Sequence, residues 1–388
     1  TDYEILLKSN YGADIGKSNS YKIEDKYSKN ELISYEIIDK RLNSKFNEKG
    51  LDKNQQKKLD FSIQKRPHLM KIFNDNMTID FISAEKQIAH LKDTETNRYK
   101  NSEVLINEFK NKSWKASFRP YNSDYRLHTN LTRSPKALRK HILINNENII
   151  GYDVKTSQPY FFCVVLKAIL KKDKSLLEKI GATKIFNGST IDQLFDLELN
   201  IKEINDFVFS VTDKNIDFYD SFASKLDIRI NEKGQPFRKV SNFKTTNKGK
   251  SRSKQNKNSE EQKVKLFKTK RDLAKEIVME VFYSSPNSKI TEAAMFRKAY
   301  PNIHKIIKCI VNNSVKFYQL LTTIEAYILL DIVAKKINSK YPCMPLGSIH
   351  DCLVTTTNYK KILKEEMFKQ INDATTLKVN IELEEWKQ

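Results

Sequence analysis

Two aspartates stand where short apolar runs give way to polar chain. Asp153 closes the run NIIGYDV (148–154), and Asp351 follows His350 inside SIHDCLVTT (348–356). A carboxylate at the end of a buried strand projects into the cleft beyond it, because strand ends open onto loops. If the two strands are neighbours, the pair can share divalent cations, and hard oxygen ligands with retained water suit Mg²⁺. The chemistry that uses this arrangement is two-metal phosphoryl transfer, in which ions about 3.5–4 Å apart activate an attacking hydroxyl and stabilise the leaving oxygens. An isolated His-Asp pair has a plainer reading, a turn with a solvated carboxylate between two strands. The second aspartate in a comparable apolar frame is what raises the chemical reading.

A third group fits the same chemistry. In RDLAKEIVMEVFYSS the residues Arg271, Lys275, Met279 and Tyr283 recur every four positions, which puts them along one face of a helix. Two cations and an aromatic ring on one face can hold a triphosphate and a base, although an ordinary amphipathic helix with a basic rim has the same pattern.

The surrounding chain must position these groups. Apolar spacing of three and four predicts a mainly helical unit from Glu31 to about Phe109, followed by a polar, Arg- and Lys-rich stretch between Trp114 and Ile142. NIIGYDV reads as a buried strand leading into an apolar helix. Residues 172–226 read as mixed helices and loops, and 231–258 as a flexible basic insertion with eight Lys and Arg and no acid from Arg238 to Lys257. Helical character returns from about 265 to 337, and the chain ends as strand, helix, strand.

The bulk properties narrow the partners. The 388 residues carry 69 Lys and Arg against 48 Asp and Glu, a formal charge of +21. That excess favours a polyanion, and with 10% aromatic residues nucleic acid fits better than a membrane surface. An AT-rich genome also inflates Lys, so composition alone leaves a plainer explanation open. Cys163, Cys309, Cys343 and Cys352 are scattered without metal-binding or disulfide-framework spacing, which predicts a reducing, cytoplasmic setting. No signal-peptide core is visible in TDYEILLKSNYG, and no run approaches the roughly 20 apolar residues of a membrane span.

In order and setting, GYDVKTSQPYFF, RDLAKEIVMEVFYSS and IHDCLVTT resemble motifs A, B and C of the superfamily that joins family A DNA polymerases with phage-type single-subunit RNA polymerases. YRLHTNLTRSPKALRKHI is similar to the segment that precedes motif A, and LKVNIELEEW to the carboxyl end of family A DNA polymerases. The resemblance spans about residues 121–388. It implies an α+β, right-hand polymerase fold: a helical amino-terminal or thumb region (1–120), a first palm part (121–170), fingers (171–300, with the motif B helix at 265–285), and a second palm part (301–388).

The implied activity is template-directed addition of nucleotides to a nucleic-acid 3′ end, with DNA synthesis favoured over RNA or primer synthesis. Template-independent transfer and an idle nucleic-acid-binding relative are further alternatives. Asp153, Asp351 and Lys275 would be catalytic, and Arg271, Lys275, Met279, Tyr283 and Gln158 would meet the nucleoside triphosphate. Arg126, Arg139 and His350 would meet a DNA primer–template, and Asp153, Val154 and Asp351 would hold two Mg²⁺ ions, with Mn²⁺ as a substitute. The expected protein is a monomer with no membrane partner. Two departures bear on the class: Cys352 stands where DNA polymerases usually carry Glu and RNA polymerases Ser, and Gln158 stands five positions after Asp153, where a sugar-sensing Glu would be. As a steric block, Gln158 would favour dNTPs.

Overall fold

In a computed structural model the chain divides into two compact units, residues 1–49 with 239–265, and residues 50–238 with 266–388. The described residues are 6–9, 20–23, 53–119, 125–239, 264–283 and 291–386. In the first unit, β1 (Leu6–Ser9) pairs antiparallel with β2 (Ser20–Ile23). All of the candidate site residues lie in the second unit.

That unit is organised by one antiparallel sheet. Its strands are β3 (Met77–Ile79), β6 (Ile142–Ile144), β7 (Glu147–Val154), β10 (Gly347–Ile349), β11 (Cys352–Thr356) and β12 (Ile381–Glu385). They run in the order β10-β11-β7-β6-β3, with β12 also on β7. A separate hairpin joins β4 (Ala116–Phe118) to β5 (Leu127–Thr129). Short strands β8 (Phe237–Lys239) and β9 (Val264–Leu266) stand either side of residues 240–263.

Alternation along β7 explains its placement. Ile150, Tyr152 and Val154 join one buried apolar cluster, while Ile149 joins a second cluster with Ile349, Cys352, Val354 and Trp386. Both faces are therefore covered, which accounts for a strand that reads as nearly continuous apolar sequence. Gly151 lets β11 lie close on this second face: a Cβ there would stand 2.4 Å from Cys352 Sγ.

The helices that matter for the site are α1 (Lys53–Lys65), α2 (Phe81–Ala89), α3 (Thr96–Lys110), α4 (Ser157–Leu170), α5 (Ile201–Thr212), α6 (Phe218–Ser224), α7 (Lys270–Tyr283), α8 (Pro301–Asn312), α9 (Phe317–Lys340) and α10 (Lys360–Thr375). Of α4 only Lys167 and Leu170 escape burial, as expected of a central helix apolar all round. Phe162 on α4 makes edge-to-face contacts with Phe207 of α5, Phe282 of α7 and Phe317 of α9, with ring centroids 4.8–6.1 Å apart. This aromatic hub fixes α7 and α9 relative to the end of β7.

The helical expectation from Glu31 to about Phe109 is met by α1–α3. Within the first 120 residues, a region expected to be helical, β1, β2 and β4 are strands, and Met77–Ile79 adds another to the sheet, pairing with Ile142–Ile144. Three residues are too few for a period-of-two signal to stand out against helical neighbours. Residues 31–52 lie outside the described residues. Within the span expected to be a flexible basic insertion (231–258), residues 231–239 make defined contacts. Asn231 Oδ1 accepts from the backbone of Lys233 and Gln235, forming a turn, and Arg238 pairs with Glu276 and Glu280 of α7. Residues 240–258 of that span lie outside the described residues. Helix α9 corrects the expectation that no segment is long and apolar enough to span a membrane. It passes on length and composition, yet 72% of its most apolar window is buried inside the protein, as in a core helix.

Two buried ion pairs tie α9 to the amino-terminal half. Arg66, 1% exposed, donates through Nε and a terminal nitrogen to Asp331 at 3.2 Å and to the Tyr125 carbonyl at 3.2 Å. Its guanidinium also lies over the Phe118 and Tyr125 rings. Arg126 pairs with Glu325 at 2.5 Å. Truncating Asp331 to Ala leaves a buried guanidinium without its counter-charge, so urea unfolding of Asp331→Ala should show a loss of about 3–5 kcal/mol; a loss below ~1 kcal/mol would mean that Tyr125 and the rings suffice.

Candidate active site

The end of β7 is flanked on both sides. Asp153 lies opposite Cys352 of β11 and opposite Glu382 of β12. Asp351 sits in the two-residue turn joining β10 and β11, between the paired Ile349 and Cys352. The turn and the catalytic reading are thus compatible, because the turn is what delivers Asp351 to the end of β7. His350, the first turn residue, adopts a left-handed φ of +56°, a conformation that costs a non-glycine residue free energy.

The two carboxyls interact directly. Burial, then the charge of Asp351 and a hydrogen bond shared with it, then Glu384 and Glu325, push the Asp153 carboxyl up to about 8. One oxygen of Asp153, Oδ1, is buried with no hydrogen-bond partner. A buried carboxyl whose charge is disfavoured by its neighbours, with one acceptor unsatisfied, is a place where a cation can stabilise the ionised form. Among the described residues no cluster of three or more His, Cys, Asp or Glu is arranged around one ion. The donor set is therefore the two aspartates plus backbone. Val154 supplies no side-chain ligand, being apolar and 2% exposed. Because the Lys155 N–H bonds the Asn380 carbonyl, ladder alternation turns the Val154 carbonyl away from β12, toward the side where Asp351 lies. This set fits Mg²⁺, which keeps waters and takes substrate phosphate oxygens in addition to one or two carboxylates.

Helix α7 presents the expected face. Leu273, Ala274, Ile277, Val278, Val281 and Phe282 are buried, so Arg271, Lys275, Met279 and Tyr283 point the other way. Lys275 and Tyr283 are exposed, and Met279 is half-buried. Tyr283 stacks on Tyr318 of α9, ring centroids 5.3 Å apart and planes within 8°. Its hydroxyl proton is held more tightly than usual by burial, and it feels Arg126, Glu325 and Asp351, which brings the end of α7 to the carboxyl pair. Arg271 is engaged within the protein: its Nε and a terminal nitrogen both donate to Asp217 Oδ2, at 3.0 and 2.9 Å, and it lies over the Tyr219 ring with Lys275 at 6.0 Å.

The polar residues around motif A converge on one buried acid that the sequence reading missed. Glu325, 1% exposed, accepts from Arg126 on Oε1, and from Ser157 Oγ (2.6 Å) and Gln158 Nε2 (2.8 Å) on Oε2. Burial pushes this carboxyl up and Arg126 pulls it back, while Glu325 strengthens the hold of Arg126 on its own proton. An acid inside the apolar helical run TTIEAYILL was the available signal, since an ionisable group there must be paired. Asp217 and Tyr318 were missed as well, and neither stands out from its surroundings. His350 is an exposed turn residue whose imidazole pKa is lowered by desolvation and by Arg126, His128 and Arg139. Arg139 is half-buried, donating through Nε to the Ser134 carbonyl and lying over the Trp386 ring.

No family model matches the sequence, and no curated protein matches it. Among solved structures, the chain is similar to the POL domain of Pol1 from M. smegmatis, solved in complex with DNA primer-template and dNTP. The two are 10% identical, the match covers 78% of this chain and 56% of that one, and the TM-score is 0.40. A likeness of that size establishes neither family nor activity, so function rests on the site itself.

A group whose proton affinity is raised by folding stabilises the native state most at low pH and loses that contribution as pH rises through its folded value. For Asp153 the window runs from about pH 4 to about pH 8. In chelator, the wild-type protein should lose more stability than Asp153→Asn between pH 5 and pH 8 by urea unfolding. Adding Mg²⁺ at pH 8 should restore the wild type and leave the variant unmoved.

Proposed function

We propose that this chain is a template-directed nucleotidyltransferase that extends the 3′ end of a nucleic-acid strand, with DNA as the strand extended. The observation that carries the reading is Asp153 at the end of β7 with Asp351 in the turn beside it, one buried carboxylate oxygen of Asp153 being unpartnered. The outward face of α7 approaches this pair through Tyr283. The net charge of +21 supports a polyanionic partner.

Asp153, Asp351 and the Val154 carbonyl would hold two Mg²⁺ ions. Bound there, the ions would lower the pKa of the attacking hydroxyl and neutralise charge on the phosphate. The chain's own groups do the rest. Lys275, exposed on α7, meets the triphosphate and places its ammonium against the pyrophosphate that leaves. Arg271 joins it by exchanging Asp217 Oδ2, which accepts from both of its nitrogens, for a phosphate oxygen. Tyr283, backed by Tyr318, offers a flat face to the base. Arg126, anchored on Glu325, borders the carboxyl pair from the hairpin side.

A Mg²⁺-dependent extension assay with single-stranded, duplex and primer–template substrates tests the reading. Asp153→Asn and Asp351→Asn should each lower extension by about 10³-fold or more, and Lys275→Ala by about 10²-fold, with circular dichroism unchanged. Near-wild-type extension by either aspartate variant would remove the two-metal assignment. Extension that ignores the template would make the chain a template-independent transferase.

A further inference from the structure

Asp217 divides its two oxygens between two tasks. Oδ1 accepts from the backbone N–H groups of Tyr219 and Asp220, at 2.9 and 3.1 Å, and so caps α6, while Oδ2 accepts from Arg271 Nε and a terminal nitrogen, at 3.0 and 2.9 Å. The cap does not need Arg271. Burial pushes the Asp217 carboxyl up, but Arg271 and the two amides more than offset this and hold it below the usual carboxylate range, so it is a fixed anion at neutral pH.

This clasp is built to open. Both partners are partly exposed, 38% for Arg271 and 26% for Asp217, and solvent screens their attraction. Geometry weakens the pair as well, because two donors share one oxygen, whereas a terminal phosphate presents a separate oxygen to each. Helix α7 can stay in place during the exchange, since its opposite face is buried and Arg238 pairs with Glu276 and Glu280. Only the Arg271 side chain has to move. Lys275, exposed on the same face, lies 6.0 Å from the Tyr219 ring over which Arg271 also sits, so the two cations meet a phosphate chain together. Burial raises the Tyr219 hydroxyl to about 12, and it also feels Arg271, Asp217 and Asp351, which puts the clasp within electrostatic range of the carboxyl pair.

We propose that Asp217 is an internal competitor of the phosphate ligand: it occupies Arg271 when the pocket is empty, sets how tightly a triphosphate is held, and takes Arg271 back as pyrophosphate leaves. A ligand that must displace Asp217 binds more weakly, by the fraction of molecules in which Arg271 is free. The inference rests on the nucleotidyltransferase reading for the identity of the ligand, whereas the clasp is tested without that reaction.

Equilibrium binding of inorganic tripolyphosphate and of pyrophosphate is measured in Mg²⁺ for the intact wild-type chain, Asp217→Asn and Asp220→Asn. Asp217→Asn keeps a capping oxygen and removes the competing charge, so both ligands should bind about fivefold more tightly, the size of a partly exposed ion pair. Asp220 is exposed and acts on Arg271 through its charge, so Asp220→Asn removes a like charge without opening the clasp and should shift either ligand by less than about twofold. Unchanged binding in Asp217→Asn overturns the proposal, and so does weaker binding, which would mean that Asp217 aligns Arg271 for phosphate instead of withholding it. Equal tightening in both variants also overturns it, because repulsion alone would then account for the gain. Absence of binding by wild type and Asp217→Asn alike has the same result. If Asp217→Asn unfolds, Asp217→Ser, an uncharged cap, is measured in its place and decides on the same terms. Loss of templated extension with the tripolyphosphate gain intact would reject the polymerase reading and leave the clasp in place; templated extension with no gain would do the reverse.

Discussion

Everything at the site depends on the register of β7 between β11 and β12. Pairing of Asp153 with Cys352 on one side and Glu382 on the other puts its carboxyl at the end of the face that carries Ile149 and Gly151. A slip of one residue would bury Asp153 among the side chains that now surround Tyr152 and Val154, and would lift Tyr152 into its place. Burial of both faces of the strand makes that slip costly. Gly151 adds a steric lock, since the close approach of Cys352 Sγ is available only where β11 meets a residue without a Cβ.

Around this register the backbone is held in conformations that non-glycine residues avoid. Tyr125, Thr156 and His350 all have φ between +52° and +56°, and each adjoins a polar group of the site: Arg126, the Ser157–Gln158 pair, and Asp351. Each is over-determined by its surroundings. Tyr125 is held through its carbonyl by Arg66, Thr156 is set between the end of β7 and the buried start of α4, and His350 is closed by the Ile349–Cys352 pair. Helix α9 gathers several of these constraints. It carries Glu325 and Asp331, and between Tyr327 and Val333 it widens to a π-helical turn, where the Leu330 carbonyl meets His68.

The parts of the site legible in the sequence were those written locally. The apolar run before Asp153, the strand-turn-strand pattern around Asp351, and the four-residue spacing from Arg271 to Tyr283 each lie within one element, and the structure brings Asp153, Asp351 and Tyr283 within electrostatic range of one another. What stayed hidden was partnership across the chain. Gln158 and Glu325 are far apart in sequence, as are Arg66 and Asp331, and no periodicity announces such pairs. The same blindness affects Arg271, read as free for phosphate and found clasped by Asp217. Among the elements, Pro301 marks the start of α8, but the separation of α8 from α9 turns on the positive φ of Ser314, which composition does not reveal.

The two sides of β7 are completed late in the life of the chain. Beyond its first residues, which pair with β6, the strand waits for β11 and β12, encoded about 200 residues downstream. At about 5–20 residues per second, the apolar edge carrying Asp153 spends roughly 10–40 s on the ribosome before its partners exist. During that interval Ile149, Ile150 and Tyr152 form an open strand edge of the kind that invites wrong pairing. Slower decoding between residues 160 and 350 lengthens that exposure without altering a single native contact.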